Sequence, residues 1–251
     1  MGYYSILGKL AQLKDQGRLT DIEAMAGASC GSLIVFMYAL CKGDIKEILK
    51  KSMELDIHKC TKPNLISILT RYGLIKPKLL KKELKKFAYE CMKTRNPTFE
   101  QLSEHVGLDI YIPAFCLTTG KTDYFSNITQ PNMKVLDAVG ASISVPLLFT
   151  SQTINDKIYI DGAIQEKLPL TPFLHKSWKE IEAIEIISPE QNIKITDMKT
   201  FIERLTRSTL EARVEYQGIK TLKLEIPHDV IFNFDMNPLQ KLELYVKGYT
   251  T

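Results

Sequence analysis

Five adjacent residues, Gly27-Ala28-Ser29-Cys30-Gly31, have the types and spacing of a nucleophile turn. They fit the pattern G-x-S-x-G. A serine hydroxyl attacks a carbonyl well only when a sharp turn lifts it clear of the chain and a base takes its proton. Small residues flank it because such a turn crowds any side chain. Roughly 0.03–0.04 chance matches are expected at ordinary residue usage, so the setting matters as much as the letters. The apolar run Ile22 to Ala26 precedes the motif and reads as a buried strand. Ser32 to Cys41 follows and is apolar nearly all round, as in a buried helix. Ser29 then sits at a helix N-terminus, where free N–H groups and the helix dipole favour a developing negative charge. The competing reading is a glycine-rich or phosphate-cradling turn in which Ser29 only caps the helix.

A serine nucleophile needs a base. The four histidines, His58, His105, His175 and His228, sit in no motif, although His175 and His228 flank expected strands. The other candidate is Asp161, in Tyr159-Ile160-Asp161-Gly162-Ala163, where an apolar strand ends. Strand ends are a usual place for active-site residues of α/β proteins. Asp-Gly alone carries little, since about 0.6 chance occurrences are expected, and the competing reading is a hairpin turn.

The elements that must position these residues follow from hydrophobic periodicity. Helices are expected from about Tyr4 to Gln16, from Asp44 onward, over Lys76–Lys93, over Asn132–Ala141, over Asp197–Tyr216 and over Pro238–Lys247. Strands are expected over Ile22–Ala26, Asp109–Leu117, Thr122–Phe125, Ile181–Ile187 and Lys220–Ile226, with a hairpin over Thr153–Ile160 that turns at Asn155-Asp156. The alternation favours a single α/β layered domain over 1–251. Residues 42–95 are the exception, a helical insertion without a good strand.

The chain has 251 residues, 45% hydrophobic and 25% charged. That excludes a disordered tail, a fibre and a disulfide mini-protein. Five scattered cysteines, with no CxxC, suggest neither a zinc site nor a redox pair. They fit small core residues in a reducing, cytoplasmic setting. The formal net charge is only +4. The insertion at 42–95 holds 15 Lys and Arg against 6 Asp and Glu, so +9 on the insertion hides −5 on the remainder.

Three stretches in order carry a resemblance. Gly27-Ala28-Ser29-Cys30-Gly31, then Ala141-Ser142-Ile143-Ser144-Val145-Pro146-Leu147-Leu148-Phe149, then Asp161-Gly162-Ala163 resemble the patatin-like phospholipase family over roughly residues 2–190. The resemblance implies a three-layer α/β/α fold with a central, mostly parallel sheet. It implies hydrolysis of phospholipid or related acyl esters by a Ser–Asp dyad, Ser29 as nucleophile and Asp161 as base, with no metal or cofactor. Gly27, Gly31 and Gly162 match its motif glycines.

Two departures stand out. The family opens with a strand and a glycine-rich oxyanion loop, whereas this sequence begins Met1-Gly2-Tyr3-Tyr4. Only Gly2 aligns with that loop. The resemblance therefore predicts a missing first strand and an oxyanion hole reduced to donors such as the Cys30 N–H, with activity impaired accordingly. One lost donor costs about 10²–10³ in rate. Lys167 also stands where the family has Asn, although Pro169 is kept. The alternative on the same fold is a non-catalytic protein that binds a membrane or a partner. Lys81, Lys82, Lys85 and Lys86 alternate around the apolar stripe of helix 76–93. They read either as a solvated face or as a peripheral contact with anionic lipid headgroups. No aromatic interleaving accompanies them, which argues against nucleic acid. The pattern leaves the oligomeric state open.

Overall fold

In the computed structural model, residues 2–189, 194–196, 200–202, 204–205, 208, 218–231 and 233–251 are described. The strands are β1 (Ala24–Ala26), β2 (Gly73–Ile75), β3 (Asp109–Cys116), β4 (Lys121–Ser126), β5 (Leu147–Phe149), β6 (Gln152–Ile154), β7 (Lys157–Asp161), β8 (Ala183–Ile187) and β9 (Thr221–Glu225). The helices are α1 (Tyr3–Asp15), α2 (Cys30–Leu40), α3 (Ile45–Glu54), α4 (Ile57–Cys60), α5 (Leu65–Arg71), α6 (Lys78–Met92), α7 (Phe99–Val106), α8 (Val135–Ser142), α9 (His228–Ile231) and α10 (Pro238–Thr250). The helix expected over 197–216 lies largely outside the described residues.

β3 organises the domain. It pairs with β1 in parallel and with both β4 and β7 antiparallel, and β6 extends the sheet beyond β7. The sheet is thus mixed rather than mostly parallel. The reason is local: β3 and β4 are joined by a tight turn at 117–120, and β6 and β7 by Asn155-Asp156, which both adopt positive φ (49° and 60°). Two such residues make the hairpin turn that suits the strand twist. Ile110, Ile112, Ala114 and Cys116 of β3 point into the main core with α2, α7 and α8. On the opposite face Tyr111 meets Phe173, from a 3₁₀ turn at 171–173, edge to face at 5.6 Å. α2 is buried along Ile34 to Leu40, as its uniformly apolar sequence requires. The chain has a three-layer α/β/α architecture. Among the described residues no helix is long and apolar enough to cross a membrane.

The insertion does contain a strand. β2 pairs in parallel with β5, Gly73 opposite Leu147 and Ile75 opposite Phe149. Three residues show no alternation, so periodicity could not reveal it. Gly73 is required there, because a Cβ would lie 2.2 Å from the Phe149 carbonyl oxygen.

Glycines also join the chain ends. A Cβ on Gly8 of α1 would lie 1.9 Å from the Tyr245 carbonyl oxygen of α10, and one on Gly248 would lie 1.9 Å from the Ser5 carbonyl oxygen. The two helices therefore touch backbone to backbone. Alanine ordinarily favours a helix interior over glycine. Here Gly8→Ala has to force the helices apart, at about 1–3 kcal/mol. A thermal melt of Gly8→Ala is expected to show Tm lowered by about 2–10 °C; a raised Tm would contradict the packing.

Candidate active site

Ser29 joins β1 to α2 with φ 52° and ψ −124°, a conformation that costs a β-carbon residue about 1–3 kcal/mol. Neighbours hold it there. The Gly27 N–H donates to the Tyr111 carbonyl at 3.1 Å, Gly31 to Ala28 at 2.8 Å, and Ser32 to Ser29 at 2.9 Å. The Ser32 hydroxyl also donates to the Ser29 carbonyl at 2.6 Å. Gly27 is obligatory, since a Cβ would sit 2.2 Å from the Gly31 carbonyl oxygen. Gly31 differs: a Cβ there meets nothing within 4 Å. It lines the cavity beside Ser29, so its effect is to leave room for a ligand rather than to relieve backbone crowding.

The Ser29 hydroxyl donates to Asp161 Oδ2 at 2.7 Å. Among the described residues it has no histidine partner. His105 is held at the Leu40 carbonyl, His58 pairs with Asp235, and His175 is exposed. Asp161 ends β7, opposite Ala114 of β3, and is fully buried. Its other oxygen accepts the Ala163 N–H at 2.8 Å, and its own N–H donates to the Ser144 carbonyl at 2.9 Å. Gly162 is required beside it, because a Cβ would come within 2.2 Å of the Pro113 carbonyl oxygen. Loss of hydration on burial raises the Asp161 carboxyl to about 7, against the hydrogen bonds from Ser29 and Ala163 that favour its ionised form.

Two side chains that carried no separate role in the sequence complete the frame. The Ser29 N–H donates to the Ser142 hydroxyl at 3.1 Å, and the Ser144 hydroxyl bonds the Gly140 and Thr150 carbonyls. These serines lie in the Ala141–Phe149 stretch, so the signal was present without a geometry to interpret it. Buried Glu166 accepts from the Leu170 N–H, the Thr171 N–H and hydroxyl, and the Tyr124 hydroxyl, at 2.6–2.8 Å. It ties down the loop after Asp161. No motif marked it.

The Cys30 N–H opens α2, among the amides that a helix leaves without an intrahelical acceptor. The Cys30 thiol is raised by burial, which disfavours a thiolate. Gly2 precedes α1 and packs against Ile186 and Ile226; it is not among the residues that line the cavity at Ser29. Lys167 lies 3.3 Å from Glu185. Lys81 reaches Asp137 at 3.2 Å and Lys86 reaches Glu83 at 2.7 Å, while Lys82 is exposed and Lys85 half-buried.

A cavity of about 760 Å³ opens beside Ser29, between β1 and β8. Among the described residues β1 pairs only with β3, and β8 only with β9, so two strand edges face this space. Leu10, Ile34, Leu168 and Phe173 make its walls apolar. Its rim carries the ion pairs Lys176–Glu23 and Arg18–Glu182. An apolar slot of this volume with a polar mouth suits an amphiphilic ligand.

The buried carboxyl makes a stability prediction. A folded-state value near 7 against an ordinary 3.8 means that the folded chain holds a proton the unfolded chain has lost. Stability therefore falls as pH rises from about 4 to about 7, by something on the order of 4 kcal/mol. Asp161→Asn removes that penalty while keeping the shape. Its Tm advantage over the wild type is expected to grow between pH 5 and pH 8; a pH-independent difference would contradict an ionising buried carboxyl.

Comparisons with known proteins agree with this frame. The family model for patatin-like phospholipase matches residues 1–174. An uncharacterized protein, R571, of Acanthamoeba polyphaga mimivirus is 27% identical over 178 residues, 68% of this chain and 58% of that one. A probable lipid hydrolase, 463L, of Invertebrate iridescent virus 6 is 26% identical over 167 residues, 66% of this chain and 57% of that one. The chain thus spans a little over half the length of these relatives. VipD from Legionella pneumophila shares the fold at TM-score 0.65 and 15% identity, over 99% of this chain and 63% of that one. A serine turn beside a buried aspartate in this architecture, with a family match over well more than half of the sequence, shows that the chain belongs to the patatin-like phospholipase family.

Proposed function

We propose that this chain hydrolyses acyl esters of phospholipids or related lipids, with Ser29 as nucleophile and Asp161 as general base. The observation that carries the reading is the 2.7 Å hydrogen bond from a strained, half-buried serine to a fully buried carboxylate. In the first step Asp161 Oδ2 takes the Ser29 proton as Oγ bonds to the ester carbonyl carbon. The tetrahedral oxyanion collapses, the alcohol leaves with the proton from Asp161, and the acyl group stays on Ser29. Water, deprotonated by Asp161 in the same way, then releases the fatty acid. A base near 7 suits this work at neutral pH, since it is both ionised in part and able to hold a proton.

The oxyanion is assigned to the N-terminal end of α2, where the Cys30 N–H is the candidate donor. The Ser29 N–H is already engaged with Ser142. The acyl chain is placed in the apolar slot between β1 and β8, with the headgroup toward the ionic rim. Peripheral contact with a membrane follows from a substrate that resides in bilayers.

Hydrolysis of a soluble short-chain p-nitrophenyl ester and of phospholipid tests the reading. Ser29→Ala is expected to lower kcat by roughly 10³-fold or more; equal rates would remove Ser29 from the mechanism. In the wild type, kcat/KM is expected to climb about tenfold per pH unit below pH 7 and to level off above it, because only ionised Asp161 accepts the proton. A flat profile from pH 5 to pH 8 would contradict Asp161 as base.

A further inference from the structure

Three large apolar side chains stand in solvent along α5 and its C-terminal cap: Ile66 is 73% exposed, Leu69 85% and Tyr72 62%. They are spaced three residues apart, which sets them along one side of the turn. They are held outward rather than frayed. Asn64 caps α5 by accepting the Ser67 N–H, Ser67 is fully buried beneath, and Tyr72 closes the helix in the left-handed region at φ 58°. β2 follows at once and is hydrogen-bonded to β5. The Ser151 N–H also donates to the Arg71 carbonyl at 3.2 Å.

The surrounding charge has one sign. Residues 57–82 contain seven Lys and Arg and no Asp or Glu. Lys59, Lys62, Arg71, Lys76, Lys78 and Lys82 are exposed. Lys59 pairs with Asp56, just outside the stretch. Among the described residues the other five form no ion pair, whereas Lys81 and Lys86 of α6 are committed to carboxylates. Exposed apolar side chains in a stretch whose charges are all cationic match an anionic lipid surface. The aliphatic groups enter the acyl boundary and the cations meet the headgroups. A polyanion such as nucleic acid would reward the cations and leave Ile66 and Leu69 in water.

We propose that α5 and its C-terminal cap form the membrane-docking surface of this protein, with Ile66, Leu69 and Tyr72 inserted into an anionic bilayer. This centres the contact on α5 rather than on Lys81, Lys85 and Lys86 of α6. β2, the strand that follows α5, is joined to the chain near the candidate active site through β5. That strand directly follows the segment in which Ser142 accepts the Ser29 N–H and the Ser144 carbonyl accepts the Asp161 N–H. The biological sense of the contact rests on the lipid-hydrolase reading; the contact itself does not require turnover.

The test is flotation of the full chain with vesicles of phosphatidylcholine, with and without phosphatidylglycerol. The wild type and Ser29→Ala are expected to bind the vesicles that contain phosphatidylglycerol equally. The double variant Ile66→Asp/Leu69→Asp is expected to bind at least about tenfold more weakly. It should keep the wild-type melting profile and the wild-type rate on a soluble ester. Leu69→Trp is expected to shift its emission to the blue on the same vesicles. Unchanged binding by the double variant would overturn the proposal, as would a wild type that binds neither vesicle. A wild type that binds no vesicle and elutes as a dimer, with the double variant a monomer, would assign the patch to a second copy instead. Loss of soluble-ester hydrolysis in Ser29→Ala with binding retained supports both readings. Binding retained in a wild type that hydrolyses no ester would leave the docking surface standing and strike the catalytic reading.

Discussion

A carboxylate without solvent has to be held 2.7 Å from a serine hydroxyl that stands on a backbone of positive φ. Neither half is favourable alone. Burial pushes the carboxyl toward its protonated form, and the turn at Ser29 is strained. The surrounding structure offsets both costs. β3 supplies the common support, since its register places Ala26 beside Tyr111 and Asp161 beside Ala114 along one edge, opposite β4. The segment at 142–144 then crosses behind the pair and bonds to each, through the Ser142 hydroxyl and the Ser144 carbonyl. Close glycines at 27 and 162 let these backbones approach.

Much of this was legible in the sequence, because its signals were local. The turn at Ser29 is written in its flanking glycines and in the apolar helix that follows. Asp161 was weak by itself, since Asp-Gly is common, and became specific only through its order after the other two stretches. What sequence could not show were roles fixed by distant partners. Ser142 touches a backbone group 113 residues away. Glu166 is buried by four donors that only the folded loop brings together. β2 is too short for periodicity and exists because β5 pairs with it. The mixed sheet followed from two tight hairpins rather than from the βα alternation.

Charge is arranged with the same economy. The modest total of +4 conceals a strongly basic insertion, and within it the lysines divide. Some join α6 to the rest of the fold by ion pairs, as Lys51 does with Glu90 and Lys81 with Asp137. Others are exposed in the stretch 57–82 that also carries the exposed apolar residues of α5. Counting charges along the sequence does not separate the two sets, because the difference lies in which side of a helix meets a carboxylate. At the cavity the pattern is different again: the walls are apolar and the charges are paired at the rim.

Asp161 is proposed to activate Ser29 directly, without histidine. The most direct test is the rate at which a fluorophosphonate labels the protein, followed by mass spectrometry from pH 5 to pH 9. Direct activation predicts a single adduct on Ser29, forming faster as pH rises and levelling above about 7, with Asp161→Asn slow at every pH. An adduct on another residue, or Asp161→Asn labelling at the wild-type rate, would contradict it.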